Sequence, residues 1–536
     1  MPARSSSPLA AIESRLRWLL PADLYAAAWV DPSPAALTRV FEHLRTLQRN
    51  LQDYLPRLVT VASAAPGETR HAWQAGSLIF TDLAGFTPLI EANMALGRAG
   101  AAVLLQLLSG YFAAMIEIIS KSGGNLLEFT GDAMLAIFPA DKRRSDTARA
   151  VRAGLRMQRA MAQFAAIDTP RGQLGLGMRV GIHSGRFLSA NIGTPRRMEY
   201  VLLGADVQRT KLAEGAGLVG RVCLTPEAQA LAHEGFRYER GEAGHMLVLD
   251  DFSTEQLGEY DIAPAGRRAS NPMLLDRSVA GLVGAIEEAL DMTEPLASYF
   301  PQPILNLLVE SVARREIKLE FPVLTVVFVN LIGLSRAVDR AQPGEEHEIF
   351  VAISRAFALI NAAVEARGGV LKNVTYDRSG SDILIYFGAP TGHIDDPLRA
   401  ADAALKIRDI IAPMPPLRAG GEEIPVVCQV GVAYGPAFAA EIGEPRGRRE
   451  FNVLGDTVNT AARLMSQAAA NQILITAEVE QAIRQQFDCA AYGTIALKGK
   501  SAPLPLFTLD GRAEAQTREK SAPGSFVAME ARAKRH

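Results

Sequence analysis

Residues 77–87 read SLIFTDLAGFT, and residues 325–335 read TVVFVNLIGLS. Each is a short run of apolar, β-forming residues that ends in a turn, with Gly85 and Gly333 at the same offset. A long helical pattern follows each, at 88–120 and 345–367. Next come two strand pairs, GGNLLEFTGDAMLAIF (123–138) and GGVLKNVTYDRSGSDILIYF (368–387). A second helical pattern, 143–165 and 395–412, leads to MRVGIHSGRFLSANIG (178–193) and CQVGVAYGPAFAAEIG (428–443). The series closes with EYVLLGADVQRTKLAEGAG (199–217) and EFNVLGDTVNTAARLMSQA (450–468). Order and spacing agree at an offset of about 250 residues, the signature of an internal duplication.

Each copy reads β-α-β-β-α-β, then a strand, a helix and a C-terminal strand. That predicts an α+β protein with two ferredoxin-like domains, at 73–265 and 321–511. Residues 1–72 read as a helical segment broken at Pro21, Pro32 and Pro34. Residues 266–320 form a linker with a helical pattern, PQPILNLLVESVARRE, and 512–536 a flexible tail without apolar periodicity.

The 536 residues are 48 % hydrophobic and 21 % charged, which excludes a mostly disordered chain and a rod. The net charge of −2 lacks the basic excess of a nucleic-acid binder. Three cysteines lie far apart, which argues against a disulfide framework or zinc cluster and for a reducing compartment. Glu13, Arg15 and Arg17 stand where a signal peptide needs an apolar core. The most lipid-like stretch, 99–119, contains Gln106, Ser109, Gly110 and Glu117 and reads as a buried amphipathic helix. The expected protein is cytoplasmic, with no membrane span and no nucleic-acid partner.

Asp82 ends an apolar strand and Asp132 sits in the turn of a strand pair. If those strands are neighbours, both carboxylates reach one sheet end, a pattern suited to Mg²⁺ and a polyphosphate; the alternative is a pair of ordinary turn aspartates. In the second copy the counterpart of Asp82 is Asn330, and that of Asp132 is Ser381, with Asp382 one step out of register. The last helix shows the opposite asymmetry. There the second copy has Asn459 and Arg463 on one helical face, and the first has Gln208 and Leu212. Losses sorted in this way imply one composite site between the domains.

FTDLAGFT, GG-x₃-EFTGD, VGIHSGR and NVLGDTVNTAAR, in that order, resemble the catalytic domains of class III nucleotidyl cyclases, in tandem as in soluble adenylyl cyclases. The resemblance covers about two-thirds of the chain. It implies head-to-tail packing as an intramolecular pseudo-heterodimer, a monomer complete in itself. It further implies that ATP is converted to cyclic AMP and pyrophosphate with two Mg²⁺ or Mn²⁺ ions. By the resemblance, Asp82, Asp132 and the Leu83 carbonyl hold metal. Gly85, Phe86 and Thr87, with Arg186 and Lys500 (or Lys498), hold phosphates. Lys372 and Asn452 read the purine, Asn459 orients the ribose, and Arg463 stabilises charge on the α-phosphoryl group. Lys372 favours ATP, since it donates to a ring nitrogen that in GTP is itself a donor.

Glu128 and Lys211 fall in the degenerate second pocket, where soluble adenylyl cyclases can bind bicarbonate through Lys and Arg. Here they are expected to pair with each other, and the glutamate predicts weak or no bicarbonate activation. His183 reads as structural, and GEPRGRRE (443–450) as a solvated hairpin. A guanylate or dual-specificity cyclase, and a non-catalytic nucleotide sensor, are the alternative readings.

Overall fold

The duplicated apolar runs become the central strands of two homologous sheets in a computed structural model. It describes residues 7–141, 145–232, 235–258, 276–314, 321–377, 380–444, 448–495 and 503–513. In the first domain the strands are β1 (Arg70–Ala84), β2 (Asn125–Thr130), β3 (Ala133–Pro139), β4 (Gly177–Thr194), β5 (Arg197–Leu203), β6 (Val222–Leu224), β7 (Tyr238–Arg240) and β8 (Met246–Val248). They run in the order β2-β3-β1-β4-β6-β8-β7, with β5 paired to β4. In the second domain they are β9 (Val323–Ile332), β10 (Val370–Asp377), β11 (Gly380–Phe387), β12 (Val427–Pro436), β13 (Phe438–Gly443), β14 (Arg449–Leu454), β15 (Gln472–Thr476), β16 (Phe487–Ile495) and β17 (Leu504–Arg512). Their order, β10-β11-β9-β12-β15-β17-β16, repeats the first, and β13 and β14 form a separate pair. The fold is α+β with a βαββαβ core in each half. The first strand begins at Arg70, ahead of the expected boundary at 73.

One residue explains the difference between the sheets. β4 continues unbroken through Arg186, whereas its counterpart ends at Pro436, which has no N–H for the ladder. Both copies still project an arm, and the arms are exchanged. Leu188, Ala190 and Ile192 of β4 pack into the core of the second domain. Phe438, Ala440 and Ile442 of β13 pack into that of the first. The Ser354 hydroxyl accepts from Gly193 N at 2.8 Å across the same boundary. The domains therefore pack head to tail.

The helices are α1 (Ala22–Val30), α2 (Pro34–Tyr54), α3 (Phe86–Met94), α4 (Arg98–Lys121), α5 (Asp146–Ala160), α6 (Ala205–Gly215), α7 (Pro226–Leu231), α8 (Val279–Ala297), α9 (Gln302–Arg314), α10 (Leu334–Arg340), α11 (Glu346–Glu365), α12 (Asp396–Ile411), α13 (Asp456–Gln467) and α14 (Ala477–Ile483). α1 and α2 start just after Pro21 and at Pro34, where proline is tolerated. The sequence reading did not resolve α8. It packs on α2, with Arg15 bridging Asp291 and Glu294 at 2.7 Å each, so N-terminal segment and linker form one helical unit. α4 and α11 are long and apolar enough to cross a bilayer. In the fold, Leu104, Leu108, Phe112, Ile353 and Ile360 on these helices are buried in the domain cores.

Candidate active site

The first-domain end of the site is set by strand register. β3 lies beside β1, with Thr81 opposite Met134, so Asp82 and the β2–β3 turn at Asp132 share one sheet end. Burial, and then the charge of Asp82, push the Asp132 carboxyl up to about 7. Arg179, opposite Asp82 on β4, holds that carboxylate at 2.5 Å and Glu214 at 2.8 Å. Sequence reasoning missed Arg179; its signal was the alignment of MRVGIH against FTDLAG, which only the register supplies.

In the second domain Val329 faces Ile383, the counterpart of Thr81 and Met134, which sets Ser381 in the place of Asp132. The turn after β1 is closed by Gly85 (φ +90°), where a Cβ would lie 2.5 Å from the Gly175 oxygen. α3 starts there, and the Phe86 and Thr87 amides stand at its N-terminus.

The second domain completes the site. Asn459 and Arg463 lie one helical turn apart on α13. Asn459 Nδ2 is 3.5 Å from Thr87 Oγ1, so the helix reaches the phosphate turn of the other domain. Arg463 is half-buried, and among the described residues its guanidinium makes no ion pair. Asn452, fully buried, donates to the Gly131 carbonyl at 3.0 Å and accepts from Val453 N at 3.0 Å. Each end of the amide thus makes one hydrogen bond within the protein. Asn452 braces the turn that carries Asp132.

Two more expectations are corrected. Arg186 does not reach this end. It pairs with Ala75, seven positions along β1 from Asp82, about 23 Å at ~3.3 Å per residue, and its guanidinium lies over Trp73. Lys372 is not the equivalent of Glu128. β2 and β10 each carry a bulge at the same place, which makes Leu127 the counterpart of Lys372 and Asn373 that of Glu128. Lys372 is buried, paired with Glu450 at 3.0 Å and donating to the Phe129 carbonyl at 3.3 Å. Lys498 and Lys500 lie outside the described residues.

The second pocket is a small interdomain cavity of about 100 Å³ lined by Glu128, Glu199, Lys372, Arg448 and Glu450. Glu128 and Lys211 do not form the expected pair. Lys211 Nζ sits 5.2 Å from the centre of the Phe80 ring, and Glu128 accepts from Thr130 at 3.2 Å. Burial raises the Glu128 carboxyl despite the Lys211 charge. The GEPRGRRE hairpin is not simply solvated either. Arg448 donates to the Tyr54 carbonyl, and Arg449 lies over the Tyr54 ring and bridges Glu441 at 3.0 Å. These arginines tie the helical unit to the second-domain arm.

Two carboxylates at one sheet end are hard oxygen groups of the kind that suit a divalent cation, which would lower the cost of ionising Asp132 beside Asp82; in this structure Arg179 holds Asp82. No group of three or more His, Cys, Asp or Glu with metal-site geometry occurs among the described residues.

The chain is similar to known proteins in sequence and in fold. The chain is 25 % identical over 430 residues to mouse (Mus musculus) adenylate cyclase type 10, covering 77 % of this chain and 25 % of the relative. It thus spans about a quarter of the length of the curated relatives it matches. Among solved structures, the adenylyl cyclase CyaB from P. aeruginosa aligns with TM-score 0.33 and 21 % identity, over 37 % of this chain and 98 % of that one. A class III adenylyl cyclase-like ATP-binding protein from Pseudomonas aeruginosa aligns with TM-score 0.49 and 13 % identity, over 83 % of this chain and 93 % of that one. The family described as adenylate and guanylate cyclase catalytic domain matches residues 70–252 and 319–511, both halves of the duplication and most of the chain, and this chain belongs to that family.

Proposed function

We propose that this protein is an adenylate cyclase that converts ATP to 3′,5′-cyclic AMP and pyrophosphate in one composite site. The observation that carries the reading is the meeting of Asn459 on α13 with Thr87 in the turn after Asp82, at 3.5 Å across the domain boundary. It joins a carboxylate pair from one half to a polar and cationic helix from the other. The Asp82 and Asp132 carboxylates with the Leu83 carbonyl would hold Mg²⁺ or Mn²⁺, which supplies charge neutralisation at the α-phosphate and a more acidic 3′-hydroxyl. The Gly85, Phe86 and Thr87 amides hold the terminal phosphates. Asn459 orients the ribose. Arg463, with no competing carboxylate among the described residues, stabilises charge on the α-phosphoryl group. The 3′-oxygen forms a bond to the α-phosphorus, the bond from that phosphorus to the bridging oxygen of pyrophosphate breaks, and the hydroxyl proton passes to solvent.

The choice of ATP is supported by the adenylate cyclase relatives and no longer by Lys372, which is committed to Glu450. The same committed lysine favours a second reading, a cyclase that accepts GTP as well. Purified full-length protein offered ATP and GTP separately, with Mg²⁺ and then Mn²⁺, separates the two. Cyclic AMP from ATP, absent in Asp82→Ala, supports the proposal, and dominant cyclic GMP overturns it.

A further inference from the structure

The duplication extends beyond the two sheets into the helical unit. Tyr54-Leu55-Pro56 closes α2, and Tyr299-Phe300-Pro301 follows α8, each ahead of one cyclase domain. The two tyrosines meet equivalent partners. The Tyr54 hydroxyl donates to Glu441 on β13, and the Tyr299 hydroxyl donates to Asn191 on β4 at 2.6 Å. Glu441 and Asn191 hold the same place in the two arms, AAEIG and SANIG. The Tyr54 carbonyl accepts from Arg448, and the Tyr299 carbonyl accepts from Arg197 at 3.2 Å. These arginines also correspond, each standing two residues before a glutamate, Glu450 or Glu199. The helical unit therefore holds both exchanged arms at matching points.

The strands held in this way present different groups to the opposite domain. Along β14, alternate residues face the first domain, as the two-residue period of a strand requires. The Arg448 guanidinium lies 5.6 Å from the centre of the Phe129 ring. Glu450 holds Lys372, whose ammonium donates to the Phe129 carbonyl, and Asn452 donates to the Gly131 carbonyl. These contacts follow the end of β2 into the turn that carries Asp132. The other face of β14 packs on the helical unit: Arg449 lies over the Tyr54 ring, and Phe451 and Val453 join the apolar core around Tyr54. β14 is thus a layer between Tyr54 and the Asp132 turn.

The first-domain strand β5 makes no such brace. Val201 pairs with Ala190 as Asn452 pairs with Ala440, so a valine stands in the place of the asparagine. It is buried in the second-domain core and has no polar group to offer a turn. Arg197 donates to the Leu371 and Lys372 carbonyls, near the start of β10 and away from its turn.

We propose that Tyr54 and Arg448 are positioning residues for the first-domain carboxylates: the helical unit, acting through β14, holds the Asp132 turn in place. The equivalent hold through Tyr299 steadies the half that lacks the carboxylates. The effect on turnover rests on the reaction proposed above, whereas the hold on the turn does not.

Hydrogen–deuterium exchange of the metal-free full-length protein, read by mass spectrometry over 125–139, tests the proposal without reference to catalysis. Tyr54→Ala is expected to speed exchange there about tenfold, as loss of one local hold implies, with exchange over 323–332 unchanged. Tyr54→Phe keeps the ring under Arg449 and stays within about twofold of the wild type. Arg448→Met matches Tyr54→Ala, and the double variant goes no further, because both residues act in one series of contacts. Tyr299→Ala leaves 125–139 unchanged. Arg448→Met carries the test should Tyr54→Ala fail to fold. In turnover assays Tyr54→Ala and Arg448→Met raise the Mn²⁺ concentration for half-maximal rate about tenfold and leave kcat near the wild-type value. Unchanged exchange over 125–139 in the folded variants, an additive double variant, an equal effect from Tyr299→Ala, or an unaltered Mn²⁺ requirement beside an active wild type would each overturn the proposal. An inactive wild type overturns the proposed reaction instead, and the exchange data still decide the positioning role.

Discussion

At matching register positions the first domain has Asp82 and Asp132, and the second has Asn330 and Ser381. On the helix that follows the arm, the first has Gln208 and Leu212, and the second has Asn459 and Arg463. Backbone and sheet order are shared, so the fold does not require these groups. The difference is instructive because head-to-tail packing brings the sheet end of one domain to the helix of the other. Each half keeps the groups that face one shared site and lacks those that would face its twin. At the twin site, the space holds buried charges braced against one another, among them Lys372 with Glu450 and Arg197 with Glu199 at 2.7 Å.

The asymmetry can be broken at either half. The largest expected effect is in the first domain: Asp82→Ala should lower cyclic-nucleotide turnover by about 10³-fold, the several kcal/mol that a bound cation supplies. Arg463→Ala, in the second, should lower kcat by roughly 10²–10³ with little change in KM, as loss of a transition-state contact does. Steady-state assays would show whether the split goes instead into KM, which would remove Arg463 from the transition state.

Asn452→Ala should lower turnover about tenfold by freeing the Gly131 turn, with the ATP-to-GTP preference unchanged if its bond to the Gly131 carbonyl is its role. A changed preference would restore a purine-reading role to Asn452. At the twin site, burial outweighs Arg197 and pushes Glu199 up to about 7. Its folded pKa lies above the unfolded value, so the folded state binds more protons between the two, and stability falls as pH rises through that window. Glu199→Gln should therefore gain on the wild type by about 2 kcal/mol between about pH 5 and about pH 8, read from urea unfolding at each pH. The smallest effect belongs to Arg186→Ala, which should change turnover by less than about twofold, since the side chain lies over Trp73 far from Asp82.

Much of this was legible in the chain. The duplication, the βαββαβ order and the pairing of Asp82 with Asp132 follow from period and spacing, because strand alternation and turn glycines are local properties. The displaced counterpart of Asp132 could be placed at Ser381 by counting back from a hairpin end. Lys372 and Arg186 failed for specific reasons. Counted from Gly123–Gly124 and Gly368–Gly369, Lys372 aligns with Leu127 and Asn373 with Glu128, and the bulge that both strands share keeps that alignment, so the assignment of Lys372 passed over a count the sequence already allowed. Arg186 sits close to a conspicuous motif, but distance along an extended strand grows by about 3.3 Å per residue, and neighbours in a motif can lie far apart in space. The arginines of the basic hairpin looked solvated because their partner, Tyr54, is 394 residues away from Arg448.

The sequence by itself determined that there are two like halves, that one has lost the carboxylates and that the other has lost the asparagine and arginine. Those are statements about residue type and order. Only the tertiary structure decided which losses face each other and which lysine is spent on an ion pair. Such outcomes depend on long-range contacts, in which an exchanged arm or a distant partner redirects a side chain without leaving a local trace in the sequence.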